Sequence, residues 1–294
     1  METTLVTYFP VVSQQLWQEN QRAIGNKPYA DYFCKQLKVP VDLVHATQNG
    51  PLPPEKTFPP VPDRLNSLFT ELSHFPRAVY GVADDGEQGI TTCNVTRHFM
   101  PGVTVAMMEW WFLWHVAEKE RYSLWFPYAH VDNSVAEPHR MNDPHLSYAE
   151  KLYGNPNHII EYIGDTKLDA IIHFTDPVSL GLDKALLERH NLRFSASGWA
   201  TQADRPDIAN TLMLHIGRDV AGGFELYSCY FIGMHQQFSR ISGLSQPDVR
   251  ATAEAAGMNR QMLEALSYEM AVHDMTEFTQ LGRMLPQLYR QFAD

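Results

Sequence analysis

Two side chains late in the sequence have the types and spacing that metal chemistry requires. His273 and Glu277, in the segment AVHDMTEF, are four residues apart, so on a helix both project from one face within reach of a single ion. An imidazole nitrogen and a carboxylate oxygen both suit zinc. The alternative is a solvated or hydrogen-bonded pair one helical turn apart. The apolar neighbours Met270, Phe278 and Leu281 favour the metal, because a carboxylate in apolar surroundings needs a cationic partner to remain charged.

Two further segments carry candidate ligands. His130 follows Pro127 in WFPYAHVDN, where a strand end or a loop could aim its side chain into a cavity. The alternative is a structural histidine, and spacing alone does not choose it over His139 or His145. Glu161 lies among isoleucines in HIIEYIGD, which is consistent with an inward carboxylate, although most carboxylates face water. The sequence therefore offers a second histidine and a second carboxylate, with the alternatives open.

The first third of the sequence is predicted to be mainly helical. Helical segments are predicted over 14–37 and 64–73. Between them, the stretch 48–62 contains six prolines and cannot be regular helix or central strand, so we interpret it as a linker or wrapping loop. We place a domain boundary near residue 90, which separates a small N-terminal domain over 1–90 from a larger domain over 91–294.

The larger domain combines strands with a helix-rich block at its end. A polar loop is predicted over 129–148, and the helical block over 248–292 is predicted to be interrupted at Gly257 and Pro286. Strands followed by a long terminal helix predict an α+β fold in which the helix lies across a curved, mainly antiparallel sheet. Strands are predicted at 170–174, 192–200, 211–216 and 224–232, with a turn at Gly222 and Gly223.

Composition and charge exclude two classes of partner. The chain has 34 acidic and 23 basic residues, and its formal net charge of -11 repels phosphate backbones and anionic lipid headgroups. The first 25 residues lack a basic start before an apolar core, and no stretch is apolar for long enough to form a spanning helix. We therefore predict a cytoplasmic protein that binds neither nucleic acid nor membrane. The three cysteines form no CxxC pair, which suits a metal site built without thiolates.

Several segments together resemble a known family. The chain is similar to the 2,4-diacetylphloroglucinol hydrolases, zinc enzymes related to phloretin hydrolase that cleave a carbon-carbon bond between an acyl group and a phenolic ring. The resemblance spans most of the chain, and it implies a helix-grip domain of the Bet v 1-like type over 91–294. It also implies that the small N-terminal domain dimerises, and hence a homodimer. The segments that carry the resemblance are YSLWFPYAHVDN, HIIEYIGD, TLMLHIG, ELYSCYFIG and AVHDMTEF.

The resemblance also assigns roles to residues. Tyrosine and asparagine side chains are expected to bind the phenolic hydroxyls and favour the keto tautomer of the ring, and His215 is expected to shuttle a proton. A catalytic zinc usually keeps an open position, so a site with four protein ligands is unusual. The implied Zn²⁺ ligands are His130, Glu161, His273 and Glu277. The implied catalytic and substrate-binding residues are Tyr122, Asn133, His215 and Tyr230.

The resemblance predicts one reaction, and the residues permit two other functions. The expected reaction is hydrolysis of 2,4-diacetylphloroglucinol to monoacetylphloroglucinol and acetate. A non-haem iron oxygenase would use two histidines and one carboxylate, and the second carboxylate argues against it. A helix-grip protein that binds an aromatic or hydrophobic ligand would need no metal. A structural zinc site would normally be closed by cysteines, and none lies near the candidate ligands in the sequence.

Overall fold

The strands of the protein are described by a computed structural model that covers residues 2–6, 9–245 and 247–293. They are β1 (Thr3–Leu5), β2 (Lys38–Pro40), β3 (Ala78–Val79), β4 (Val82–Asp84), β5 (Gly89–Thr92), β6 (Asn94–Pro101), β7 (His130–Val135), β8 (Asn157–Ile163), β9 (Thr166–Phe174), β10 (Phe194–Ser195), β11 (Gly198–Gln202), β12 (Arg205–Val220) and β13 (Gly223–His235).

The helices alternate with these strands and end in one long helix. They are α1 (Val11–Ile24), α2 (Val41–Gln48), α3 (Pro62–Thr70), α4 (Val105–Trp114), α5 (Lys119–Trp125), α6 (Pro138–Met141), α7 (Tyr148–Leu152), α8 (Lys184–Arg189), α9 (Gln236–Ser242), α10 (Val249–Ala255) and α11 (Arg260–Phe292). Short 3-10 turns lie at Ala30–Tyr32, Pro54–Lys56, Leu72–His74, Gly86–Gln88 and His115–Ala117.

Within the described residues, an 11-stranded antiparallel sheet forms the centre of the fold. Its main order is β3-β6-β13-β12-β11-β9-β8-β7. Strand β10 is attached to β12, β5 to β13, and β4 to β5. Strands β12 and β13 are joined by a tight turn, since Val220 pairs with Gly223 and Gly222 has a φ of +81°. The predicted glycine turn is therefore confirmed. Strand β8 pairs with β7 on one side and β9 on the other, which places both partners of the β7–β8 pair at one end of the sheet.

Helix α11 lies across this sheet. It begins after Asn259, whose side chain accepts a hydrogen bond from the Met262 N–H at 3.0 Å and caps the first turn. Its apolar face packs against β6 and the core between helix and sheet, where Phe278 and Leu281 are fully buried. The predicted α+β fold, with a long antiparallel sheet gripping a long C-terminal helix, is confirmed.

The opposite face of the sheet is also covered. A second apolar core joins α3, α8 and α9 to the sheet through Leu65, Phe69, Leu187 and Phe238. Over the central parts of β12 and β13, the sheet is therefore an inner layer whose two faces are both largely buried. None of the helices in the described residues is both long enough and apolar enough to cross a bilayer.

Some local predictions are wrong. The predicted helix over 14–37 ends at Ile24, and the predicted polar loop contains strand β7. Helix α11 also continues through Pro286, although a proline removes one helical hydrogen bond. The flanking Leu285 and Leu288 are fully buried, so packing outweighs this local cost. The predicted break at Gly257, by contrast, is confirmed between α10 and α11. The domain boundary near residue 90 stays a prediction.

Candidate metal centre

The pairing of β7 with β8 brings two of the candidate ligands together. His130 is the register partner of Glu161, so the two residues face each other across neighbouring strands. Burial alternates along β8, and Glu161 belongs to its inward face. His130 is fully buried, and Glu161 is 8% exposed. Both side chains therefore point away from water, which excludes the surface-strand alternative for Glu161.

Helix α11 supplies the other two candidate ligands. His273 and Glu277 lie one turn apart on the buried side of the helix and are each 4% exposed. The Nε2 atom of His130 lies 3.5 Å from an Oε2 atom of both Glu161 and Glu277. The Nε2 atom of His273 lies 3.7 Å from Oε2 of Glu277 and 3.9 Å from Oε2 of Glu161. His130, His273 and Glu277 thus have ligand atoms within 4.8 Å of one another, close enough to share one ion, and Glu161 lies beside this group.

The hydrogen bonds of His130 match the requirements of a metal ligand. Its Nδ1–H donates to the Tyr122 carbonyl at 3.0 Å, which leaves a lone pair on Nε2. That Nε2 atom is buried and has no hydrogen-bond partner among the described residues. A buried unpaired polar atom is costly, whereas coordination of a cation would use its lone pair. The donor set of two nitrogens and two carboxylates fits Zn²⁺.

The electrostatics of the four residues also indicate a missing positive charge. Burial raises the pKa of Glu161 to about 7, against a smaller lowering by the Tyr122 hydroxyl that donates to it. Burial and the nearby Glu161 carboxylate raise the pKa of Glu277 well above its usual range. Burial lowers the pKa of His273 to about 4, and burial together with the nearby His273 ring holds the pKa of His130 well below its usual range. Two neutral imidazoles beside two carboxylates at one point form a site that a divalent cation would complete.

The four residues predicted to contact substrate line a cavity beside this site. The Tyr230 hydroxyl lies 3.0 Å from Nε2 of His215 and donates to Oε1 of Glu277 at 3.3 Å. Burial lowers the pKa of His215 to about 4, so its ring is neutral at pH 7. Aromatic and aliphatic side chains form the rest of the wall. The cavity is lined by Phe112, His115, Tyr122, Trp125, Asn133, Asn157, Ile159, Glu161, Ile172, Phe174, Met213, His215, Tyr230, Met270, His273 and Glu277.

Several lining residues were not identified from the sequence. His115 ends the aromatic run of α4, where the apolar pattern concealed it. Trp125 donates its indole N–H to the Glu277 carbonyl at 2.8 Å and fixes the helix beside the cavity. Asn157 lies on the same strand face as Glu161, so the two-residue alternation of β8 could have found it. The alternative candidates His139, in α6, and His145, between α6 and α7, are exposed and lie outside the cavity.

We predict that His115 makes the protein acid-sensitive. Burial lowers the pKa of His115 to about 3. Between pH 3 and 6.5, the unfolded state therefore binds a proton that the folded state does not. The free energy of unfolding falls as the pH falls through this range. Between pH 7 and pH 5 this loss is about 2 kcal/mol for one such group. In urea unfolding of metal-free protein, His115→Gln should show a pH dependence weaker by that amount, and His139→Gln should match the wild type. Equal pH dependence in all three proteins would contradict the prediction.

Comparison with known proteins places this geometry in a family. Residues 58–290 match the protein-family model described as the DAPG hydrolase PhiG domain. A 2,4-diacetylphloroglucinol hydrolase from a Pseudomonas species is 39% identical over 290 residues, which is 99% of this chain and 97% of that protein. The enzyme of the same name from Pseudomonas protegens is also 39% identical over 290 residues and is covered over 92% of its length.

Two weaker similarities were also found. Phloretin hydrolase from Eubacterium ramulus is 28% identical over 270 residues, with 90% of each chain covered. The crystal structure of Ara h 8.0201 aligns with 62% of this chain and 99% of its own, at 8% identity and a TM-score of 0.28. That score is too low to support an argument about the fold.

Proposed function

Because the chain belongs to the DAPG hydrolase family, we propose that it hydrolyses the carbon-carbon bond between an acyl group and a phloroglucinol-type ring, converting 2,4-diacetylphloroglucinol to monoacetylphloroglucinol and acetate. The observation that carries the proposal is the convergence of His130, Glu161, His273 and Glu277 beside a buried aromatic cavity. The unpaired Nε2 of His130 supports a metal as part of this site.

The finer features of the proposal follow from the same residues. We propose that the metal is zinc, because nitrogen and carboxylate donors in this number suit it. When bound, the ion would polarise the acyl carbonyl and favour attack by water. We further propose a cytoplasmic homodimer in which the domain over 1–90 contributes the contact. Sedimentation of the purified protein tests the dimer, and a monomeric protein would contradict it.

The reaction needs a proton on the ring carbon and a hydroxyl on the acyl carbon, both of which come from one water molecule. His215 is neutral at pH 7 and lies within hydrogen-bond distance of the Tyr230 hydroxyl. That pair can pass a proton toward the ring, while the hydroxyl of Tyr230 also reaches Glu277. The Tyr122 hydroxyl holds Glu161 in place. In this proposal the side chains of the cavity move the proton and hold the phenolic ring.

We expect His215→Gln to lower turnover without releasing the metal. Glutamine preserves a polar side chain but cannot pass a proton as imidazole does, and loss of such a group typically reduces the rate by about 10²-fold to 10⁴-fold. The measurement is the steady-state rate of acetate release together with metal content by elemental analysis. Unchanged turnover would remove His215 from the mechanism. Loss of the metal would instead make the residue part of the metal site.

The first test of the proposed function is metal content and acetate release in the wild-type protein. About one zinc per chain together with acetate release from diacetylphloroglucinol would support the hydrolase. A metal-free protein that binds phenols without cleaving them would favour the ligand-binding alternative. Iron in the site together with dioxygen consumption would favour the oxygenase.

A further inference from the structure

We propose that Asn157 is a positioning residue that orients the side-chain amide of Asn133, so that the NH2 group of Asn133 faces the cavity. This point of the cavity wall would then bind only hydrogen-bond acceptors. The acceptor is a ring oxygen of the acylated phenol, an assignment that rests on the proposed function. Asn133 would be the group that touches substrate, and Asn157 would act through it.

The orientation of Asn157 follows from a main-chain carbonyl. Its Nδ2 atom lies 3.0 Å from the carbonyl oxygen of Ser134, and a carbonyl oxygen can only accept a hydrogen bond. The end of the Asn157 side chain that faces Ser134 must therefore be its NH2 group. The second hydrogen of this group points to Oδ1 of Asn133, also at 3.0 Å. Because a donor faces it, the end of Asn133 nearest Asn157 must be its oxygen.

The backbone holds both asparagines in these positions. In the β7–β8 pair, Asn133 is the register partner of Ile159 and Asn157 that of Val135. Asn133 and Asn157 are therefore diagonal neighbours on the two strands. They are 5% and 2% exposed, and both line the cavity. Because the main chains of both strands are paired, the two side chains are fixed in place, and their main remaining freedom is rotation of the terminal amide group.

The other end of the Asn133 amide faces the cavity without a partner. Its Nδ2 atom is buried and makes no hydrogen bond to any described residue. Other polar groups of the cavity are engaged with one another, since the Tyr122 hydroxyl donates to Glu161 and Tyr230 lies between His215 and Glu277. Asn133 is thus a pre-oriented donor with hydrogens available to a ligand, and an acceptor on that ligand would complete its hydrogen bonding.

A donor at this position suits the chemistry of the leaving group. When the acyl-ring bond breaks, its electron pair stays with the ring, and the negative charge spreads onto the ring oxygens. The Asn133 NH2 group would bind such an oxygen more strongly as the charge develops, which stabilises the transition state more than the bound substrate. The Asn157 contact matters because a reversed amide would present an oxygen and repel the same charge.

The test compares two ring ligands that differ in hydrogen-bond polarity. Phloroglucinol offers three ring oxygens that can accept, whereas 1,3,5-triaminobenzene replaces all three with amino groups that mainly donate, so that no rotation of the ring can place an oxygen at Asn133. Titration calorimetry on metal-loaded protein would give the ratio of their affinities. The wild type should prefer phloroglucinol. Asn157→Asp should lose that preference by about tenfold or more, because a carboxylate attracts the Asn133 NH2 group and turns its oxygen to the cavity.

Controls separate this effect from a loss of structure. Asn155 is also buried and hydrogen-bonded, through Glu137 and Lys151, but it does not line the cavity, so Asn155→Asp should keep the wild-type preference. If Asn157→Asp does not fold, the uncharged Asn157→Leu provides the same comparison, with a smaller loss expected because the Asn133 amide can then adopt either orientation.

The outcomes distinguish this inference from the proposed function. A folded Asn157 variant that keeps the full preference for phloroglucinol would overturn the inference, as would a wild type that binds neither ligand. The wild type could prefer phloroglucinol, and the Asn157 variant could lose that preference, while the wild type releases no acetate. This result would support the inference and contradict the proposed hydrolase activity. In an active enzyme, Asn157→Asp should lower kcat more than it raises KM, since the contact strengthens in the transition state.

Discussion

Replacing His130 with alanine is expected to remove the metal ion and to lower acetate release from diacetylphloroglucinol by at least about a thousandfold. The Nε2 atom of His130 lies at the point where Glu161 and Glu277 converge, and its ring is fixed by the hydrogen bond from Nδ1 to the Tyr122 carbonyl. Without the imidazole, two buried carboxylates would face each other with one nitrogen donor fewer. Elemental analysis and the acetate assay measure the two losses on the same sample.

The matched control for this prediction is His139→Ala. Its side chain is 77% exposed and lies on the short helix α6, which follows the same strand. The sequence alone did not distinguish His139 from His130, so the pair tests the structural assignment directly. Both metal content and activity should remain at wild-type levels in His139→Ala. Metal retained in His130→Ala, or lost in His139→Ala, would show that the site lies elsewhere.

Glu161→Gln is expected to weaken metal binding and activity at least about a hundredfold while stabilising the metal-free protein. Burial raises the pKa of Glu161 to about 7, so between pH 4.3 and 7 the folded state keeps a proton that the unfolded state has released. Stability of the metal-free wild type therefore falls as the pH rises through this range. Glutamine does not titrate, and it can still accept the hydrogen bond from Tyr122.

The size of this stabilisation should depend on pH. The gain in free energy of unfolding of the metal-free variant over the metal-free wild type should be about 3 kcal/mol at pH 8 and less than about 1 kcal/mol at pH 5. Urea unfolding in the presence of a chelator measures both values. Glu254→Gln is a suitable control, because that carboxylate is exposed on α10 and takes no part in capping the helix. A Glu161→Gln protein that is less stable than the wild type at pH 8 would contradict the prediction.

The parts of the site that could be predicted are those set by local geometry. His273 and Glu277 are brought together by the helical repeat alone, because residues four apart on a helix lie on the same face. The choice of His130 over His139 depends on the pairing of β7 with β8, and such pairing between distant segments leaves no local pattern. The resemblance to a family supplied that choice, and the register of the two strands gives its physical reason.

The sequence was less informative where tertiary packing overrides local preference. Pro286 was predicted to break a helix that burial of Leu285 and Leu288 holds together. His115 was hidden because it follows a run of aromatic residues that reads as ordinary core. Asn157 was readable in principle, since it shares the alternating inward face of β8 with Glu161, but an asparagine without a known partner gives no reason to be singled out.

The division of the candidate ligands between helix α11 and the β7–β8 strand pair links metal supply to the lifetime of the protein. An ion bound by both the helix and the strand pair would have to lose its ligands on one of them before the helix could detach from the sheet. The fraction of molecules in which the helix has detached then sets how often proteases reach the apolar face that contains Phe278 and Leu281, and a bound ion would lower that fraction. Molecules made when the metal is scarce would be degraded sooner than metal-loaded ones, so the cell would retain mainly active copies.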